Sequence, residues 1–279
     1  VEILPKELRG YGTTIVATMG VFGALLAYLI VHFFFWRVSY FIGGGLGLLL
    51  MILRIRVLES TIFLNIKSKK VSRGDILMIL KNRSRFLRYI NSILIGMPIW
   101  FIAGILITFS PEFGEAMKIG VPINAGQAVL FTFGGQVAGN ILSGMLSQYL
   151  KSRKKAILVF LLFALLSVFF YLLFPFRSPV LFYLTCAFLG FFGGYWTLFV
   201  AVAAELFGAN LRATVATTVP NFVRGTVIPV TALFLLLKSR MSIIHSASII
   251  AIGTFGIALF SLFYLEETFS KDMAVVEEE

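Results

Sequence analysis

Cysteine, histidine and acidic residues are scarce in this sequence, and each scarcity removes a class of chemistry. Cys186 is the single cysteine of 279 residues, so an intrachain disulfide and a cysteine-based zinc site are excluded. Two histidines do not make a Cys/His metal cluster, and neither a metal nor another cofactor is expected. Thirteen Asp and Glu face 24 Lys and Arg, leaving a net charge of +11. With 59% of residues hydrophobic and 30 of them phenylalanine, too little polar surface remains to dress a water-soluble globule. The basic excess does not point to nucleic acid as a partner. Lys and Arg fall mainly between apolar runs, where they orient a membrane protein.

What the chain does have is eight apolar segments, at about 13–31, 38–53, 89–109, 123–147, 156–174, 180–207, 213–237 and 243–264. Lipid offers the backbone no hydrogen-bond partner, so runs of this length read as helices, and the fold class is an all-α integral membrane bundle. The second run is the shortest, and it spans only if Trp36 and Arg37 sit at an interface. Residues 60–88 form a basic loop with Lys67, Lys69, Lys70, Arg73, Lys81, Arg83, Arg85 and Arg88, and the loop after the fourth run holds Lys151, Arg153, Lys154 and Lys155. The positive-inside rule puts these loops, both chain ends and the 207–212 turn in the cytoplasm. The expected location is a plasma membrane of the bacterial inner-membrane kind. Within the long loop, residues 75–80 suit a short amphipathic helix on the inner membrane face, or a plain connector.

The sequence also repeats itself. Glu2-Ile3-Leu4, Leu8-Arg9-Gly10 and Thr14 are answered by Glu205-Leu206-Phe207, Leu211-Arg212-Ala213 and Thr217, all at an offset of 203 residues. Leu58-Glu59-Ser60-Thr61 is answered by Leu265-Glu266-Glu267-Thr268 at an offset of 207. The first helix thus matches the seventh and the second the eighth. Two six-helix repeats are implied, with four helices, roughly 120 residues, expected ahead of Val1. The division expected is 1–59 as the last two helices of an N-terminal half, 60–88 as a cytoplasmic linker, 89–265 as a six-helix C-terminal half and 266–279 as an acidic cytoplasmic tail. The partners expected are those N-terminal helices, the lipid bilayer and a small-molecule solute.

These marks carry a resemblance. Pro5-Lys6-Glu7-Leu8-Arg9-Gly10 before the first helix, Trp36-Arg37 opening the second, Leu58-Glu59-Ser60 closing it, Glu205-Leu206-Phe207 through Arg212-Ala213, and Arg224-Gly225 with Pro229 resemble helices five to twelve of a major facilitator superfamily transporter. The branch resembled contains the sugar porters and the organic cation and anion transporters. One departure is plain: where that family carries Asp after its eighth helix this chain has Gln148, and the basic run Lys151 to Lys155 is displaced. A tryptophan for sugar stacking is also misplaced, since Trp196 lies nine residues before Glu205.

Arg224 is the one charged residue deep inside any apolar run. At about 1.5 Å per helical residue it lies roughly 18 Å from Arg212 and roughly 21 Å from Lys238, near the midplane of a core about 30 Å thick. Arginine cannot shed its proton there, so it needs a wet cavity or a partner, and its planar fork suits a carboxylate or phosphate. Asn221, Gln136, Gln127 and Asn140 are candidates to orient such a solute, or else neutral glue between helices. Pro220, Gly225 and Pro229 interrupt the seventh run as a candidate hinge. Glu205, Arg212 and Arg153 form a candidate cytoplasmic gate, or else mark topology. Gly135 and Gly139, and Gly20, Gly23, Ala24 and Ala27, have the spacing of close helix contacts; in the resembled family those two helices line the contact between halves.

No acid lies in the middle of any run, so no proton-carrying carboxylate is available there. The reading is a secondary or facilitative transporter of a small polar solute, an organic anion, working by alternating access. The alternatives are a porter of a neutral sugar, a membrane-embedded enzyme using Glu205 and Arg212, or a non-transporting receptor.

Overall fold

The computed structural model describes residues 9–55, 74–271 and 275–277. The motif Pro5 to Leu8, Glu59 with its neighbours, and residues 60–73 of the basic loop lie outside the described residues. Every regular element described is helical. The chain runs through α1 (Arg9–Phe33), α2 (Trp36–Arg54), α3 (Ile76–Lys81), α4 (Arg83–Phe101) with a π-helical continuation (Ile102–Ile107), α5 (Ser110–Ala116) and α6 (Ala125–Tyr149). It continues through α7 (Arg153–Leu173), α8 (Pro179–Gly193), α9 (Trp196–Glu205), α10 (Ala209–Gly225), α11 (Val227–Lys238) and α12 (Ile243–Tyr264). Seven of these paths are long and apolar enough to cross a membrane, counting α4 with its continuation, α8 with α9, and α10 with α11 as one each. The apolar part of α1, Thr18–Phe33, is shorter than these seven.

Side-chain caps set where the helices begin. Asn82 Oδ1 accepts from the N–H groups of Ser84 (3.0 Å) and Arg85 (3.2 Å), Asn124 Oδ1 from Gln127 (3.1 Å), and Ser152 Oγ from Lys155 (3.1 Å). Each satisfies a donor the helix leaves orphaned. The Asn82 cap starts α4 at Arg83 rather than at Tyr89, so Arg83, Arg85 and Arg88 stand on helical turns and not in the loop. Hydropathy does not register such turns, although arginine is a good helix former. Asp75 caps α3 through Leu77 N–H (2.8 Å), and Met78 and Ile79 are buried on its inner face.

Three of the spans are irregular, and two of them differ from the uninterrupted helices the sequence suggests. α4 widens into a π-helix one turn after Pro98. The 180–207 run is divided at Gly194 and Tyr195 into α8 and α9. The 213–237 run is divided at Thr226: Gly225 ends α10, and Pro229, third in α11, has no N–H for the carbonyl one turn back. Pro220 lies inside α10 without ending it.

Glycines bring α6 and α8 to backbone contact. A Cβ on Gly135 would lie 1.9 Å from Ala187 O, on Gly139 1.9 Å from Phe191 O, and on Gly190 1.8 Å from Thr132 O. The Gly135 and Gly139 face therefore meets α8 inside the same bundle; α1 packs against α6 elsewhere, with Tyr28 3.4 Å from where a Cβ on Gly126 would lie, while Cβ atoms on Gly20 and Gly23 would meet nothing within 4 Å. Without a hydrophobic drive between helices in lipid, such backbone approach supplies much of the packing. Gly139→Ala is expected to cost about 1–3 kcal/mol through overpacking. Gly134→Ala, where nothing lies within 4 Å, is expected to be neutral or up to about 1 kcal/mol stabilising. Thermal unfolding of the two variants in micelles checks this, and equal melting temperatures would refute the packing role.

Candidate functional site

A cavity of about 500 Å³ opens between α4, α6, α8, α10 and α11, walled by the irregular turns just described. Ile102, Ala103 and Gly104 come from the π-helix, Gly193 from the end of α8, and Val227 and Ile228 from the start of α11. Most of the wall is apolar; its polar side chains, besides the Trp100 indole, are Thr108, Thr132, Gln136 and Arg224. Two of these are already engaged: Thr108 Oγ1 donates to Ala103 O (2.9 Å) and Thr132 Oγ1 to Ala128 O (2.7 Å). Gln136, 8% exposed, makes no hydrogen bond to a described residue.

Arg224 is the charge of the site. Its Nη1 donates to Asn221 Oδ1 at 3.3 Å, a partner one helical turn back. The guanidinium carbon lies 5.7 Å from the Trp100 ring centre and 5.9 Å from that of Trp196, and the two indoles meet edge to face at 6.2 Å. Aromatic faces favour a cation without neutralising it. Arg224 forms no ion pair with a described residue. Trp100 adds a second unmet group, since its Nε1 is buried without a hydrogen-bond partner. Buried donors are nearly always paired, so an indole N–H on a cavity wall beside an arginine asks for an acceptor.

The cavity thus gathers Arg224 and Gln136, with Asn221 touching Arg224, but neither Gln127 nor Asn140. Nine residues separate Gln127 from Gln136, half a turn out of phase at about 3.6 residues per turn, so Gln127 is exposed elsewhere on α6. Asn140 shares a face with Gln136 but lies one turn further, where α6 meets the Gly194 turn: a Cβ on Gly194 would be 2.5 Å from Asn140 N. Asn140 is fully buried there. Trp100 and Trp196 escaped the sequence reading as partners of Arg224. Their depth was the signal, because tryptophan ordinarily concentrates at membrane interfaces and Trp100 stands in the middle of its run.

The family model of the Major Facilitator Superfamily matches residues 1–227. The chain belongs to the major facilitator superfamily. No curated protein matches it. Membership makes this major facilitator chain a multi-pass membrane protein of a transporter family.

At its basic end the chain buries a second charged cluster. Arg153 Nη2 lies 3.3 Å from Glu205 Oε1, with the side chains 5% and 9% exposed. Ser147 Oγ accepts from Arg153 Nη1 (3.1 Å), and Thr268 Oγ1 donates to Glu205 Oε2 (2.7 Å). Arg212 donates to the carbonyls of Ala204 (3.2 Å) and Phe207 (3.3 Å), tying the end of α9 to the start of α10. Glu267, just past α12, caps α7: it accepts from Ser152 Oγ and from the N–H groups of Arg153 (2.9 Å) and Lys154 (3.3 Å).

Burial raises the Glu267 pKa, but the hydrogen bonds from Ser152, Phe269, Arg153 and Lys154 outweigh it and hold the carboxyl below its ordinary value. A lowered native pKa means that the cap's stabilisation is complete above the unfolded value near 4.5 and disappears as pH falls through the native one. The melting temperatures of wild type and Glu267→Gln should therefore differ at pH 7 and converge in acid. A difference independent of pH would refute the charged cap.

Proposed function

We propose that this major facilitator chain moves a small organic anion across the membrane by alternating access, with Arg224 holding the anionic group. One observation carries the reading: an arginine on the wall of an apolar cavity, unpaired with any described acid, beside a buried indole N–H without an acceptor. A carboxylate or phosphate meets both needs, through the guanidinium fork and through Trp100 Nε1. Asn221 sets the direction of the fork, and Gln136 offers an amide to the rest of the solute. The cavity volume is that of a site for a small molecule.

A charge-assisted hydrogen bond contributes about 1.5–3 kcal/mol. In the natural full-length protein, Arg224→Lys should weaken solute binding about tenfold and Arg224→Ala about a hundredfold, read by isotope uptake into vesicles. The indole pair also suits a second reading, a neutral sugar stacked on Trp100. Affinity that survives Arg224→Ala but falls in Trp100→Ala would replace the first reading with the second.

The positive-inside rule places Arg153, Glu205 and residues 74–88 on the cytoplasmic side, with two helices before that connector and six after it. We take the Arg153–Glu205 pair as the gate of that side, with Arg212 bracing its turn. A single cysteine at Lys154 should label with an impermeant maleimide from the cytoplasmic side alone. In Glu205→Gln the balance of inward-open and outward-open forms should shift, because Arg153 is left buried without its counter-charge. Labelling from outside would reverse the orientation, and an unshifted balance would remove the gate.

A further inference from the structure

The turn that opens α10 makes contacts that neither the cavity nor the Arg153–Glu205 pair uses. Ala209 N–H donates to Val275 O (2.8 Å), and Gly208 N–H to Glu277 Oε1 (3.4 Å). Asn210 grips residue 277 twice: its Oδ1 accepts from Glu277 N–H (3.0 Å) and its Nδ2 donates to Glu277 O (3.1 Å). The Glu277 carboxylate also lies 3.0 Å from Arg85 Nε and 3.5 Å from Arg88 Nη2, on the first turns of α4. These side chains are 11%, 22% and 15% exposed for Arg85, Arg88 and Glu277. The seat is close-fitting, since a Cβ on Gly208 would lie 2.6 Å from Glu277 N. Gly74 N–H donates to Asn210 O (3.0 Å), so the end of the basic connector reaches the same turn.

Two guanidinium groups and the positive end of a 17-residue helix make a carboxylate site, and here Glu277 of the same chain fills it. The helix so held is the one that bears Arg224 and is interrupted at Thr226. We propose that Val275 to Glu277 is an intramolecular ligand of this site and acts as an autoinhibitory clasp. Bound, it ties the start of α10 to α4 and to the connector, and keeps the basic end of the cavity closed. Released, it lets α10 swing and the cavity open on that side. The consequence for solute movement rests on the transport reading above; the clasp's effect on access does not.

Val219 is fully buried on α10, between the turn that the clasp holds and Arg224. In the natural full-length chain reconstituted in vesicles, with Cys186→Ser and Val219→Cys, maleimide labelling from the basic side reads opening. Deletion of residues 275–279 is expected to speed labelling about fivefold or more, within the usual range of coupling between two sites. Glu277→Gln should speed it less, because an amide still accepts from Gly208 while both ion pairs are lost. The peptide Val-Val-Glu-Glu-Glu added to the deleted protein should slow labelling again, and should act more weakly when Arg85→Gln is also present. Unchanged or slower labelling after deletion, or no effect of the peptide, overturns the clasp. Tail-dependent labelling without solute uptake would instead keep the clasp and discard the transport reading.

Discussion

A helix that departs from regular hydrogen bonding in water is repaired by solvent, whereas inside a bilayer the repair must come from the protein itself. This constraint explains how the chain accommodates three irregular spans around one cavity. The π-helix of residues 102–107 has its Leu106 carbonyl bonded by Tyr171 Oη (2.9 Å), and its Ala103 carbonyl by Thr108 Oγ1 (2.9 Å). At the α8–α9 division, Ser143 Oγ donates to Gly194 O (2.8 Å). At the α10–α11 division, Thr226 Oγ1 donates to Val223 O (2.6 Å). Each irregularity has a hydroxyl beside it, and together they open space in what would be closely packed helices.

Scarcity of acid organises the charges. With 13 acidic residues against 24 basic ones, the described carboxylates gather at the ends of the bundle: Glu205, Glu267 and Glu277 at the basic end, and Glu112 opposite, paired with Lys238. Glu205, Glu267 and Glu277 each hold an arginine or a helix start in place, so the elements of the basic end are tied together by carboxylates. The middle has no such resource. Arg224 is stabilised there by two indole faces and one amide, none of which neutralises its charge.

Much of the fold was legible because apolar length is a strong local signal. The seven described spans fall on seven of the eight apolar runs, and membership of the major facilitator superfamily agrees with the resemblance carried by short motifs such as Glu205-Leu206-Phe207. Hydropathy was blind at two kinds of place. It missed the first turns of α4, where arginines on a helix look like a loop, and it missed the Gly194 division, where the residues on both sides are equally apolar. In the site, a lone arginine far from either end of its run could be noticed from sequence; the loss of Gln127 follows from helical phase, and that of Asn140 from a glycine contact one turn away.

By itself, the sequence determined that the chain is a bundle of membrane-crossing helices, because composition and run length act residue by residue and do not depend on which helices meet. Tertiary structure alone decided that Arg224 stands beside Trp100 and Trp196, that Arg153 rather than Arg212 makes the ion pair with Glu205, and that Glu277 returns to Arg85 and the start of α10. These are meetings of residues 28 to 192 positions apart. They depend on the backbone approach that Gly135, Gly139 and Gly190 permit and on where hydroxyls let a helix break, which no local pattern encodes.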